Sequence, residues 1–279
     1  MGDTKGEDSM PLITISQRIG CGGKAIAELV ADGLDLELLD DNRLQQEAHK
    51  MSTRAEAMEN LDEKAPDLFH RLLSKEPKMY LHYLESVVYR LAREGQGVII
   101  GHGSQILLRE FGCALHVQIH AGESVRINNL MKQEHLSREV AHKLMLKADH
   151  EQDGFFQYAF HMNWKDESLY DLVINTQKIG YESAAKMIID AYRSDQIKAC
   201  SLDAVEIIRG LSLRKEIDAV LLENNIQTRW LDIEVPREGV VTVTGYIYSQ
   251  EEKDKMLMII RSIPGVKSVK EGIGILSHL

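Results

Sequence analysis

Short apolar runs alternate with amphipathic segments through the first 200 or so residues of the chain. Apolar residues recurring every three to four positions predict helices after a glycine-rich turn at 20–23 and over 42–51, 76–94, 104–111, 123–160 (broken near 134–137) and 181–197. Between them lie short runs typical of strands, at 12–16, 36–40, 97–101, 114–121 and 171–176, and the continuous apolar run 97–101 is of the kind expected for a buried parallel strand. Short strands that alternate with helices favour an α/β fold with a central parallel sheet.

The pattern changes after residue 200. A helical segment, 203–224, precedes two alternating runs at 228–235 and 240–247, which are typical of paired strands. A helix over 249–262 and a last strand after Pro264 and Gly265 complete a small α+β module. We therefore predict a lead-in over 1–10, a first domain over 11–200 and a second over 201–279.

Composition and charge narrow the classes of function. The formal net charge of −10 argues against nonspecific binding to nucleic acid or to anionic membranes. The first ten residues are polar and acidic, so we expect a disordered lead-in rather than a signal peptide. The three cysteines form no C-x-x-C pair, and the eleven histidines lack metal-ligand spacing. These features favour a cytoplasmic protein without a metal site.

The turn after the first strand is the strongest chemical signal. Gly20, Gly22 and Gly23 lie between a strand and an amphipathic helix. Glycines let backbone N–H groups point inward, and a helix N-terminus carries partial positive charge, so this arrangement binds phosphate. The alternative is a tight turn in which the glycines serve packing alone.

The turn departs from a standard P-loop, G-x-x-x-x-G-K-[ST]. Lys24 follows Gly23 as the motif requires. Ala25, however, stands where a serine or threonine would contact Mg²⁺, and Arg18 stands where the first glycine is expected.

The first domain resembles the cytidylate kinase-like family of P-loop nucleoside monophosphate kinases. The resemblance spans about residues 11–195. It rests on ITIS-x-x-x-G-x-GG-x-x-IA at 13–27, Asp40, VIIG-x-G at 98–103, and a block from Trp164 to Thr176. It implies a P-loop kinase fold with a central parallel sheet, a helical nucleotide-binding region and a lid. It also implies ATP and Mg²⁺ as cofactors and phosphoryl transfer to a nucleoside monophosphate.

The resemblance assigns candidate site residues. Those expected to hold the donor phosphates are Ser16, Arg18, Gly20, Cys21, Gly22, Gly23, Lys24 and Ala25. Those expected at the acceptor are Asp40, Gly101, His102 and Gly103, and those expected to act in catalysis are Lys24, Arg126 and Asp40.

Several of these residues also have a simple structural interpretation. Lys24 could be a solvated lysine, Asp40 a helix N-cap, and Arg126 a surface arginine. Cys21 lies at a helix N-terminus, which favours the thiolate, but we expect a small buried side chain here rather than a redox-sensitive thiol.

Three positions lack the arginine that the family motif places there. Gln17 follows the serine, His102 lies between the two glycines, and Gln152 ends the Asp149-x-x-Gln152 segment of the lid. Neutral side chains cannot replace a guanidinium on phosphate. Two hypotheses follow. One is an ATP-dependent kinase for a CMP-like nucleotide or related small molecule, and the other is an inactive nucleotide-binding sensor.

The second domain resembles a BON module from about 203 to 277, on Val241, Val243 and Gly245 and on a PGV-x-x-V segment at 264–269. Such modules are associated with phospholipid contact. The acidic composition opposes a membrane role here, so the resemblance implies a protein partner or self-association.

Overall fold

The computed structural model describes residues 12–40, 42–44, 46, 77–94, 97–109, 111–112, 114–198 and 202–276. The chain divides into two compact units, residues 1–41 with 94–201 and residues 42–93 with 202–279. The predicted lead-in 1–10 and most of the predicted helix 42–51 lie outside the described residues. Among the described helices, none is long and apolar enough to cross a bilayer.

A five-stranded parallel sheet forms the centre of the first unit. Its strands are β1 (Leu12–Gln17), β2 (Leu38–Leu39), β3 (Gly97–Ile100), β4 (Ala114–His120) and β5 (Leu172–Asn175). Their order is β2-β3-β1-β4-β5, and every pairing is parallel. The prediction of a central parallel sheet is confirmed. Both faces of β1 and β3 are covered, since every residue of the two strands except Gln17 is buried.

Helices connect the strands of this sheet. They are α1 (Gly23–Leu34), α3 (Ser104–Leu107), α4 (Glu123–Gln133), α5 (Arg138–Phe160), α6 (Tyr181–Tyr192) and α7 (Asp195–Lys198), with a 3₁₀ turn at Glu167–Leu169. The predicted break near 134–137 is confirmed, because α4 ends at Gln133 and α5 begins at Arg138.

Two predicted helices are shorter in the structure. The segment predicted as 104–111 is helical only to Leu107, because Phe111 N–H turns back to the Leu108 carbonyl at 2.8 Å. The segment predicted as 181–197 breaks after Tyr192, and Asp195 starts a new helix.

The core of the first unit lies between the sheet and the α1 and α6 helices. Ile13 and Ile15 of β1 pack with Ile26 and Val30 of α1 and with Ile188 of α6. This packing fixes the start of α1 directly after β1. Since all five strands are parallel, the segments that follow β1, β2 and β3 begin at one edge of the sheet.

The second unit contains a mixed three-stranded sheet. Its strands, β6 (Leu231–Arg237), β7 (Val240–Ile247) and β8 (Ser268–Ile275), lie in sequence order, with β6–β7 antiparallel and β7–β8 parallel. The α8 (Leu202–Glu223) and α9 (Gln250–Ser262) helices pack on it. The predicted order of helix, two strands, helix and strand is confirmed.

The helix α2 (Pro77–Glu94) packs on α8 within this second unit. Ser86 and Ser212 donate to each other's backbone carbonyls at 2.9 and 3.1 Å. Lys215 Nζ lies 2.6 Å from Glu85 Oε2. The predicted division at residue 200 assigns α2 to the first domain, so these contacts join a segment of that predicted domain to the module that follows it.

Candidate phosphate-binding site

The turn after β1 has the conformation that its glycines permit. Gly20 and Gly22 adopt left-handed φ angles of 82° and 84°, and Cys21 N–H donates to the Arg18 carbonyl at 3.1 Å. A Cβ on Gly20 would lie 2.7 Å from the Arg126 carbonyl oxygen, and one on Gly22 would lie 2.3 Å from Tyr181 Cζ. Both conformation and close packing therefore require glycine here. Packing therefore contributes to the requirement for glycine in this turn.

The first backbone N–H of α1 donates a hydrogen bond to a side-chain oxygen. Gly23 N–H donates to Gln17 Oε1 at 2.7 Å. Three turns of α1 lie behind this N–H, and its first turn carries no acidic residue, so the positive end of the helix dipole faces the carboxamide. The contact marks a position that suits an anionic oxygen.

Cys21 supplies backbone to the loop while its side chain joins the core. The side chain is fully buried, and burial raises the pKa of its thiol despite the nearby Arg126 and Arg18 guanidinium groups. Burial therefore opposes the thiolate, which is the less favoured interpretation, because desolvation outweighs the positive charges. The interpretation as a small buried side chain is confirmed. Ser16, inside β1, is buried as well.

Two arginines meet one carboxylate beside the loop. Arg126, on α4, is 4% exposed and donates from Nη1 and Nη2 to the two carboxylate oxygens of Asp149 at 2.8 and 2.6 Å. Its Nε donates to the Ile19 carbonyl at 2.8 Å. Arg18 Nη1 lies 3.6 Å from the same carboxylate. Arg126 is thus no surface residue, and its charge is placed at the loop backbone.

The helices α4 and α5 also hold the loop through neutral hydrogen bonds. Gln152 Nε2 donates to the Gln17 carbonyl at 3.0 Å, and Asn129 Nδ2 donates to the Gly20 carbonyl at 2.8 Å. The guanidinium of Arg18 lies 5.5 Å from the ring centroid of the buried Trp164. The loop is therefore fixed from both helices of the predicted lid.

Lys24 and Asp40 lie next to each other, one after β1 and the other after β2. Lys24 Nζ is 3.5 Å from Asp40 Oδ2, with side chains 60% and 24% exposed. An exposed pair at this distance contributes only about 0–1 kcal/mol, so Lys24 can leave Asp40 at small cost. The alternative interpretation of Asp40 is the N-cap of a helix over 41–51. Most residues of that segment lie outside the described part of the chain, so this alternative stays a prediction.

The segment Gly101-His102-Gly103 follows β3 in an unusual conformation. All three residues have left-handed φ angles, of 80°, 58° and 71°. Gly101 N–H donates to the Ile15 carbonyl at 2.9 Å, which ties the segment to β1. His102 is the strained member, since a residue with a Cβ rarely adopts this region. The segment lies at the same sheet edge as the glycine turn.

The described residues include no group of three or more His, Cys, Asp or Glu side chains that could hold a metal ion. Ala25 also lacks the hydroxyl that a P-loop offers to Mg²⁺.

Sequence reasoning missed Asp149 and Gln17 as members of the site. The family motif points to an absent arginine at position 17 and at the end of the Asp149-x-x-Gln152 segment, and not to the side chains of Gln17 and Asp149 themselves. The signal that could have identified Asp149 is charge. A buried arginine in the first turn of a lid helix needs an acidic partner nearby. Asp149 is the acidic residue of the lid that provides it.

The parallel order β2-β3-β1-β4-β5, with a glycine turn between β1 and α1, defines a protein of the nucleotide-kinase fold class. A family model described as the cytidylate kinase-like family matches residues 12–178, and one described as the BON domain matches residues 211–275. The first match spans more than half of the chain, and the chain belongs to the cytidylate kinase-like family. No curated protein matches the sequence.

Several solved structures are similar to this chain at low identity. An uncharacterized protein from Eubacterium ventriosum is 18% identical, with a TM-score of 0.53 over 66% of this chain and 99% of that one. A shikimate kinase from Acinetobacter baumannii in complex with shikimate is 13% identical, with a TM-score of 0.39 over 66% and 93%. A shikimate kinase from Bacteroides thetaiotaomicron is 12% identical, with a TM-score of 0.40 over 66% and 99%. At 18% identity the likeness to the protein from Eubacterium ventriosum concerns the fold alone, and no conclusion rests on the two shikimate kinases.

Proposed function

We propose that the protein is a cytoplasmic phosphotransferase that uses ATP with Mg²⁺ and acts on a nucleoside monophosphate of the CMP type or a related small molecule. The observation that carries this proposal is the meeting of Arg126 and Arg18 at one carboxylate beside the glycine turn. Two cations directed at one anionic group, next to a helix N-terminus, suit a phosphate.

Phosphoryl transfer needs positioning and neutralisation of charge more than covalent help from the protein. The first N–H groups of α1 would hold the donor phosphates, with Gly23 N–H passing from Gln17 to a phosphate oxygen. Lys24 would leave its loose pair with Asp40 and face the same phosphates. The terminal phosphoryl group of ATP goes to an oxygen of the acceptor, and ADP leaves.

The acceptor would approach from the segments that follow β2 and β3. Asp40 and His102 lie after those strands, at the same edge of the sheet as the glycine turn. Mg²⁺ would enter bound to the nucleotide, because this ion is usually held by substrate phosphates, waters and one or two carboxylates.

A second function is favoured by the way Arg126 is held. Its Nε, Nη1 and Nη2 all donate within the protein. An arginine fixed in this way can orient the loop without reaching a transferred group. In that case the protein is an inactive nucleotide-binding sensor, and the BON-like domain passes the bound state to a protein partner or to a second copy.

A phosphotransfer assay with calorimetry separates the two functions. Full-length protein receives ATP, Mg²⁺ and a panel of nucleoside monophosphates, and ³¹P NMR follows ADP and new diphosphates. Transfer to one acceptor supports the kinase, whereas bound ATP without transfer supports the sensor. Lys24→Ala should weaken ATP binding about tenfold or more, because a charge-assisted contact is lost.

The matched control is Lys186→Ala, which removes an exposed lysine paired with Asp190 on α6. It should leave ATP binding unchanged. Failure of the wild-type protein to bind ATP at all would contradict both functions.

A further inference from the structure

A pocket of about 520 Å³ lies within the second unit, between α8 and β6. Its size falls in the range of sites for small molecules, roughly 300–1,000 Å³. The residues that line it are Glu206, Ile207, Gly210, Leu211, Arg214, Glu234, Val235, Pro236 and Arg237. It uses none of the residues of the glycine turn, so its function is separate from phosphoryl transfer.

Apolar side chains line one wall of the pocket, and the backbone of β6 passes close to α8 beside it. Ile207, Leu211, Val235 and Pro236 supply the apolar surface, and Ile207 is 63% exposed. Gly210 is needed where α8 crosses β6, because a Cβ there would lie 2.8 Å from the Val235 carbonyl oxygen. A side chain at this position would also take up space beside the pocket. The apolar wall can therefore receive a flat or aliphatic group.

Arg214 gives the pocket a cation whose guanidinium lacks a close partner within the described part of the chain. Its Nη2 lies 3.9 Å from Asp232 Oδ1, a long pair, with side chains 42% and 63% exposed. Its Nε is buried and has no hydrogen-bond partner among the described residues. The guanidinium fork matches carboxylate and phosphate groups, which accept two parallel hydrogen bonds. An anion in the pocket would give Arg214 the close partner that Asp232 does not.

Charge at the rim limits the ligand further. Arg237 adds a second cation, whereas Glu206 and Glu234 add two carboxylates. The lining thus has no net charge, which disfavours a polyanion such as a nucleoside triphosphate. A ligand with one anionic group and an apolar body fits both the charge and the wall.

We propose that this pocket binds a small organic anion, a carboxylate or a phosphate monoester attached to an apolar ring or chain. Arg214 holds the anionic group, and Ile207 and Val235 contact the apolar body. The BON-like module is then a ligand-binding module in its own right.

Methyl NMR on the full chain tests this proposal. Phenyl phosphate and benzoate are titrated while the Ile207 and Val235 methyl signals are followed, and inorganic phosphate and benzyl alcohol each supply only one half of the ligand. We expect saturable shifts with phenyl phosphate, benzoate or both, which identifies the anion, and much weaker effects with the two half-ligands.

Arg214→Met keeps most of the side-chain stem and should weaken binding about tenfold or more. Arg209→Met is the control, since Arg209 lies on the same helix, outside the lining, 4.0 Å from Glu238. Ile207→Glu places a carboxylate at an exposed position and should abolish the Val235 shift. Absence of saturable shifts, equal binding by Arg214→Met, or equal binding of the half-ligands would overturn the proposal.

Discussion

Arg126 and Asp149 form a two-point ion pair, at 2.8 and 2.6 Å, directly beside the glycine turn between β1 and α1. Arg126 is almost fully buried, and its Nε also donates to the Ile19 carbonyl of the turn. The carboxylate of Asp149 therefore pairs with the Arg126 guanidinium, the cation that would contact a phosphate in the proposed kinase. In the proposed kinase, nucleotide binding competes with this internal pair.

Asp149→Asn tests that competition. Removing the negative charge frees Arg126 for phosphate, and we expect ATP to bind up to about tenfold more tightly by calorimetry. Without ATP the variant should lose about 1–3 kcal/mol of stability, because a buried guanidinium loses its counter-charge. Added ATP should recover the loss in thermal unfolding.

Asp190→Asn provides the comparison for this variant. Asp190 is 58% exposed and pairs with Lys186 on α6, away from the turn. Neither ATP affinity nor stability should change by more than about 0.5 kcal/mol there. Unchanged or weaker ATP binding in Asp149→Asn would show that Asp149 supports the site rather than competes for it.

His116 predicts a pH dependence of stability. Its side chain is 7% exposed, Nδ1 lies 2.8 Å from Thr14 Oγ1, and burial lowers its pKa from 6.5 although the charge of Asp171 opposes the shift. Above pH 6.5 the ring is neutral in the folded and unfolded chain. Below it the unfolded chain binds a proton first, so the free energy of unfolding falls as the pH drops from 6.5 towards the folded pKa.

Urea unfolding at pH 7.5 and pH 5.5 measures this effect. His116→Gln should reduce the difference between the two midpoints, whereas His120→Gln, at an exposed position, should keep it. The same difference in His116→Gln and in the wild-type protein would exclude His116 as its source.

The contact between α2 and α8 predicts that residues on either side of position 200 are energetically coupled. Burial raises the pKa of Glu85, but the hydrogen bond from His82 and the charge of Lys215 outweigh it and lower the pKa overall. Lys215→Met removes the 2.6 Å contact and should cost about 1–3 kcal/mol. The loss should be present at neutral pH and shrink as Glu85 becomes protonated below about pH 4.

A double-mutant cycle with Glu85→Gln measures the coupling energy directly. Lys267→Met, which removes an exposed lysine 3.7 Å from Glu238, serves as the control and should cost less than about 1 kcal/mol. Additive effects of Lys215→Met and Glu85→Gln would show that the two side chains do not stabilise each other.

The sheet of the first unit could be predicted because its signals are local. The continuous apolar run Gly97–Ile100 indicates burial on both faces, the alternation from Leu12 to Ser16 indicates a strand, and the three glycines indicate the turn. The contact between Ser86 and Ser212 has no such signal, because it joins residues 126 positions apart. Each helix pattern shows an apolar face, but it does not identify the helix that covers it.

Part of the candidate site can be predicted for the same reason, because its signals are local in the sequence. The position of Lys24 and the glycines follows from one short segment, whereas the pairing of Arg126 with Asp149 depends on how α4 and α5 pack. Burial of Cys21, which raises the pKa of its thiol, also depends on packing. The charges and spacing of residues along the chain do not indicate which helices pack together or which side chains become buried.

The central claim, that the glycine turn binds the phosphates of a nucleotide, is tested most directly by the amide signal of Gly23. Its N–H donates to Gln17 Oε1 at 2.7 Å without ligand. During an ATP titration of ¹⁵N-labelled full-length protein, we predict a saturable shift of Gly23 together with Gly20 and Gly22. ATP binding that leaves these three signals in place, or no binding at all, would contradict the account.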